Sequence, residues 1–239
     1  MERNLSVGDS LSEVFAVYRA HAGVLLPVAF CLFLVVGIVD GLLARSFVLF
    51  PLSIAVSVIA ATLYQGMVVS LVRDVQDGRR DSSAGDLLNE AAPVIWPLIG
   101  AGLLSGIGIG IGLILLIVPG LILLTIWAVI APVIVVERSG VIDAFRRSRE
   151  LVRGNGWQVF GVVVCAFLIA FFVGLVFGAV AAAISGGAAM RIVFNVIAST
   201  LTAPITALAA AVIYFRLRGA EGAVAPPAPA DVPPPPPTV

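Results

Sequence analysis

The sequence predicts an all-α polytopic membrane protein: six transmembrane helices with three cytoplasmic, interfacial amphipathic helices. Three observations carry this reading. Sixty per cent of the 239 residues are hydrophobic and 12% are charged, against about 25% charged in soluble domains, and the mean hydropathy is +1.13. The apolar residues gather into runs that meet the requirement for crossing roughly 30 Å of hydrocarbon, about 20 residues as a helix. The charged residues balance to a formal net charge of zero but cluster between alternate runs.

Residues 1–22 read as the first amphipathic helix. Ser10 and Glu13 have capping-box spacing, and Leu11, Val14, Phe15 and Tyr18 recur at helical intervals. The membrane domain, 23–218, opens with a span at about 23–44, carrying Asp40 near its far end, and a second at 47–72. The first run is too long and starts too late for a signal peptide, and another span follows it at once. Ser83 and Asp86 mark a second surface-helix start, ahead of Leu87, Leu88 and Ala91.

No charge occurs from Val94 to Val136. One helix of that length would extend about 64 Å, twice the hydrocarbon thickness. The chain must turn back, and Pro119-Gly120 is the expected turn, dividing the run into spans at 94–117 and 120–136. Spans at 157–184 and 192–215 complete the six. Beyond them, residues 219–239 hold eight prolines and few bulky apolar groups, an unpacked cytoplasmic tail. That tail serves as a tether, or as a ligand for a proline-binding protein partner.

All fourteen basic residues are arginine. Twelve lie before the first span, in alternate loops or after the last; only Arg45 and Arg191 lie on the other side. This asymmetry predicts a bacterial cytoplasmic (inner) membrane protein with both termini in the cytoplasm.

On a helical wheel, residues 141–153 place Val141, Ala144, Phe145, Ser148, Leu151 and Val152 on one arc. Asp143, Arg146, Arg147, Glu150 and Arg153 lie opposite, with Asp143–Arg147 and Arg146–Glu150 as i,i+4 pairs. Gly154 ends the helix where a left-handed residue is wanted. The expected position is in the membrane interface, apolar side down. Arg138, Arg146, Arg147, Arg149 and Arg153 either enforce topology or form a rim for anionic lipid headgroups or a partner. Each is worth about 1 kcal/mol near an anionic leaflet. Glu137 is placed to pair with Arg147, Arg149 or Arg153 and pin the surface helix to the bundle. With one surface helix ahead of each pair of spans, the chain reads as three copies of a helix-plus-hairpin unit.

A Pro-Gly between two spans, then APVIVVE and AFRRSRELVRGNGW, resembles the bacterial glycerophosphoryl diester phosphodiesterase membrane-domain family. The matching positions include Pro119, Gly120, Pro132, Glu137, Arg146, Arg147, Gly154 and Trp157. The resemblance implies the membrane architecture without the catalytic barrel, for which about 250 residues would be needed.

No catalytic set, cofactor or metal site is expected, nor nucleic acid as a partner. His21 is the only histidine, and Cys31 and Cys165 lie apart inside apolar runs. The glycines of SGIGIGIG, at 105–112, suit close helix packing. Asp40 either pairs with Arg45 at the interface or acts as an intramembrane relay, with Gln65 and Asn195 as polar partners. The expected role is a non-catalytic membrane scaffold or lipid- or partner-binding module. A transporter or permease component for a lipid or small amphiphile is the alternative.

Overall fold

A computed structural model describes residues 6–43, 49–76, 92–184 and 187–224. Among these the elements are α1 (Val7–Leu43), α2 (Phe50–Gln76), a 3₁₀ turn (Ala92–Val94), α3 (Ile95–Leu115), α4 (Ile117–Ile126), α5 (Ile130–Glu137), α6 (Val141–Val152), α7 (Gly156–Ala183) and α8 (Gly187–Val224), with no strand. Six stretches are long and apolar enough to cross a membrane: Val7–Leu43, Pro51–Gln76, Ile95–Leu115, Ile117–Glu137, Gly156–Ala183 and Ala189–Glu221.

The spans pack side by side as an antiparallel bundle. The Tyr64 hydroxyl on α2 donates to the Leu25 carbonyl on α1 at 3.1 Å. Near the opposite end of the same pair, Ser53 donates to Asp40 at 2.5 Å. The long α8 lies at the centre, against α1, α7 and α2, with Leu208, Ala211, Val212, Ile213 and Tyr214 fully buried. Large apolar side chains such as Ile114, Phe171 and Phe172 face outward. In lipid these have no reason to hide, so small residues and close contact must hold the helices together.

The structure corrects the sequence reading at several points. Within α1 the first surface helix is set off from the first span by a kink at His21 (φ −118°, ψ 17°). Its N-terminal cap is Ser6, whose Oγ accepts from the Asp9 N–H at 3.3 Å, not the expected Ser10. Ser10 instead donates back to the Ser6 carbonyl. The second expected surface helix, at 83–91, and most of the Pro-rich tail lie outside the described residues, as do Arg45 and the expected Asp40–Arg45 pair.

The chain reverses at Leu116 (φ −158°, ψ 129°), not at Pro119-Gly120. Pro119 occupies the third position of α4, where a helix has no intrahelical partner for an N–H anyway. Gly120 is needed for proximity, since a Cβ there would stand 2.6 Å from the Leu113 backbone nitrogen. The fourth span is also broken, at Trp127–Val129, between α4 and α5. Again a proline, Pro132, is third in the helix that follows. The Ser148 hydroxyl donates to the Ile126 carbonyl at 2.7 Å and satisfies a group that the break leaves open.

Helix α6 has the amphipathic pattern read from the wheel, but its apolar side rests on protein. Ala144, Ser148, Leu151 and Val152 are buried against α5, α3, α4 and α8. Phe145 meets Trp127 edge-on at 4.9 Å between ring centroids. Gly154 has φ +94°, the left-handed backbone its position requires.

Candidate functional site: an arginine collar

At the Arg-rich end of the bundle, α5 delivers Glu137 as its last residue. Arg138 turns the chain in a left-handed conformation (φ 50°, ψ 37°), and α6 then doubles back over the bundle. Two turns into α6, the Arg147 Nε lies 3.3 Å from Glu137 Oε2. Its terminal nitrogens donate to both carboxylate oxygens of Glu221, at 2.9 and 2.5 Å. The buried Tyr214 hydroxyl donates to Glu137 Oε1 at 3.0 Å, and Arg218 Nη1 donates to the Tyr214 oxygen at 3.3 Å. One hydrogen-bonded chain thus ties α5, α6 and α8. A second tie, Arg216 to Glu13 at 2.7 Å, joins α8 to α1. The Glu221 hydrogen bond is the main cause holding the Arg147 guanidinium more firmly protonated than usual, with the Glu137 and Glu221 charges adding to it against partial desolvation.

Of the three arginines expected opposite Glu137, Arg147 is therefore its partner. Arg146 pairs with Asp143 at 2.9 Å, one helical step from the expected Asp143–Arg147 pair. Glu150 approaches Arg147 at 3.9 Å instead of Arg146. Arg149 and Arg153 line an open groove beside α4 and have no carboxylate within 4 Å among the described residues.

Sequence reasoning missed Tyr214, Arg218 and Glu221, the last because it was assigned to the tail. Their spacing carried a signal: 214, 218 and 221 share one helical face once α8 is extended to Val224. Asp40 accepts hydrogen bonds from Ser53 and Ser57, whereas Asn195, one of the polar partners expected for it, accepts from Ser199. Gln65 faces an inner cavity of about 250 Å³ with Tyr64, Ser105, Trp127 and Thr206. Among the described residues, no group of three or more His, Cys, Asp or Glu side chains is placed to hold a metal.

The profile of an uncharacterised protein family, UPF0259, matches residues 40–217. A UPF0259 membrane protein of Pectobacterium carotovorum subsp. carotovorum is 36% identical over 100 residues, which is 41% of this chain and 39% of that protein's length. No solved structure matches. These findings overturn the resemblance to the glycerophosphoryl diester phosphodiesterase membrane domain. The residues behind it, a Pro-Gly in a hairpin and an arginine-rich helix closed by glycine, answer needs that any such collar would share. The match covers well over half of the sequence, and the chain belongs to UPF0259, a family of uncharacterised membrane proteins.

Proposed function

We propose that the protein is a non-catalytic module of a bacterial inner membrane that gathers anionic lipid at a cytoplasmic arginine collar. The observation that supports it most is the division of labour in α6. Arg147 is consumed by the clamp, while Arg138, Arg146, Arg149 and Arg153 stay at the surface, on the end where Trp96 and Trp157 are 81% and 83% exposed. Exposed indoles belong at a membrane–water boundary, and guanidiniums beside them meet phosphate.

Two measurements test this. In nanodiscs of mixed phosphatidylglycerol and phosphatidylethanolamine, the protein should enrich phosphatidylglycerol around itself. Changing all four surface arginines to glutamine should abolish that enrichment, at about 1 kcal/mol per side chain. Equal recovery of the two lipids with the unmodified protein defeats the proposal. Separately, reporters fused after positions 45 and 191 should read as external, as the twelve-to-two arginine division supports. A cytoplasmic signal at either position reverses the orientation.

A transporter component is the second reading. It is favoured by the broken fourth span beside a cavity that holds Gln65, Ser105 and Thr206. Lipid flux across proteoliposomes that depends on Gln65 would shift the conclusion to it.

A further inference from the structure

We infer that the groove between α4 and the start of α7 is a site for one anionic phospholipid, with its phosphate between Arg149 and Arg153 and an acyl chain laid along α4. The inference rests on the collar reading above and narrows it to a single place and ligand class.

The groove has a volume of about 770 Å³, within the roughly 300–1,000 Å³ typical of small-molecule sites. Its apolar floor comes from Val118, Leu121, Ile122 and Thr125, spaced as one face of α4, and Trp157 and Phe160 of α7 form the wall. Ser148 fixes the register: its hydrogen bond to Ile126 sets Arg149 beside the α5 end of α4. From there the floor runs back to Val118, about 12 Å at the helical rise, toward the Leu116 reversal. Cation at one end and hydrocarbon along the length is the polarity of a lipid molecule.

The two guanidiniums are four residues apart, at the end of α6, and so project on one side. The acidic neighbours on their own helix are engaged elsewhere, Asp143 with Arg146 and Glu150 with Arg147. A planar fork with no carboxylate partner among the described residues, beside an apolar groove, suits a phosphodiester oxygen pair. Gly154 and Gly156 also line the groove, and a Cβ at either would meet nothing within 4 Å. The head end therefore has open room. Asn155 supplies no side-chain cap to α7, so the first-turn N–H groups there add donors of the same sense. Bulk lipid contacts the exposed side of α3 equally well; what singles out this place is concavity joined to two cations with no carboxylate partner among the described residues.

The test is native mass spectrometry of the full chain taken from phosphatidylglycerol/phosphatidylethanolamine nanodiscs into mild detergent. One phosphatidylglycerol should stay with each wild-type chain. Arg149→Gln with Arg153→Gln should lower its retention by about tenfold or more. Ile122→Trp should do the same with every charge intact, by filling the floor; Ile122 is 55% exposed, so the fold accommodates the larger ring. Arg191→Gln, an exposed arginine outside the collar, should leave retention unchanged. If the groove variants keep the lipid as wild type does, this site is wrong while the collar reading stands. If wild type shows no preference for phosphatidylglycerol, both fail. A dimer in place of a lipid-bound monomer would assign the groove to a second copy of the chain and overturn the inference.

Discussion

Gly120→Ala should destabilise the protein by about 3 kcal/mol, the upper part of the range for inserting atoms into a packed contact. The added methyl would lie 2.6 Å from the Leu113 backbone nitrogen and 2.5 Å from its side chain. Gly112 faces the same contact, with a Cβ there only 3.0 Å from the Gly120 Cα. Because Leu113 presents backbone, no rotamer change relieves the clash, and α3 and α4 must move apart. Between helices in lipid there is no hydrophobic gain to resist that separation, only the packing that the methyl removes. Gly110→Ala is the control. It lies in α3, as Gly112 does, with nothing within 4 Å of its Cβ, and alanine is favoured over glycine in a helix by up to about 1 kcal/mol. Thermal unfolding in mild detergent, followed by tryptophan fluorescence, should show a lower midpoint for Gly120→Ala and an equal or higher one for Gly110→Ala. Equal midpoints for Gly120→Ala and wild type would mean that the hairpin does not depend on this approach.

Glu137→Ala should cost about 2 kcal/mol. Arg147 would keep Glu221, and Glu150 at 3.9 Å, but lose the Glu137 counter-charge, and the Tyr214 hydroxyl would lose its carboxylate acceptor. A buried group left unpaired costs about 1–3 kcal/mol. The Arg147 and Glu137 side chains are 27% and 23% exposed, so solvent screening keeps the ion-pair share below the 3–5 kcal/mol of a fully buried pair. Tyr214→Phe alone should cost about 1 kcal/mol. The two changes together should cost clearly less than their sum, because the second removes a group the first has already orphaned. Strict additivity in that double-mutant cycle would show that Tyr214 and Glu137 are not coupled.

Much of the architecture was legible because its causes are local. Apolar run length announces a span, and the wheel of 141–153 announces an amphipathic helix wherever it docks. The Leu116 reversal was misplaced for a specific reason. Inside a run of apolar residues Pro119 reads as a helix breaker, whereas in Ile95-Trp96-Pro97, Ile117-Val118-Pro119 and Ile130-Ala131-Pro132 proline is third in a new helix each time. A first-turn N–H has no intrahelical partner, so proline is tolerated at all three starts. The break within the fourth span was harder to see, because its open carbonyl is satisfied by Ser148, distant in sequence.

The candidate site divides in the same way. An arginine-rich helix after Glu137 was apparent, but which guanidinium meets which carboxylate was not. Arg147 and Glu221 converge only because α6 folds back onto α8, bringing together residues 74 positions apart in the chain.

By itself the sequence determined the solvent of each segment, the number of spans and the charge asymmetry between the two ends, since these follow from side-chain transfer energies and helix length. Only the tertiary structure decided which arginines are spent on holding the collar and which stay at the surface. Pairing depends on distances of a few ångströms between helices remote in the chain, and no local pattern encodes them.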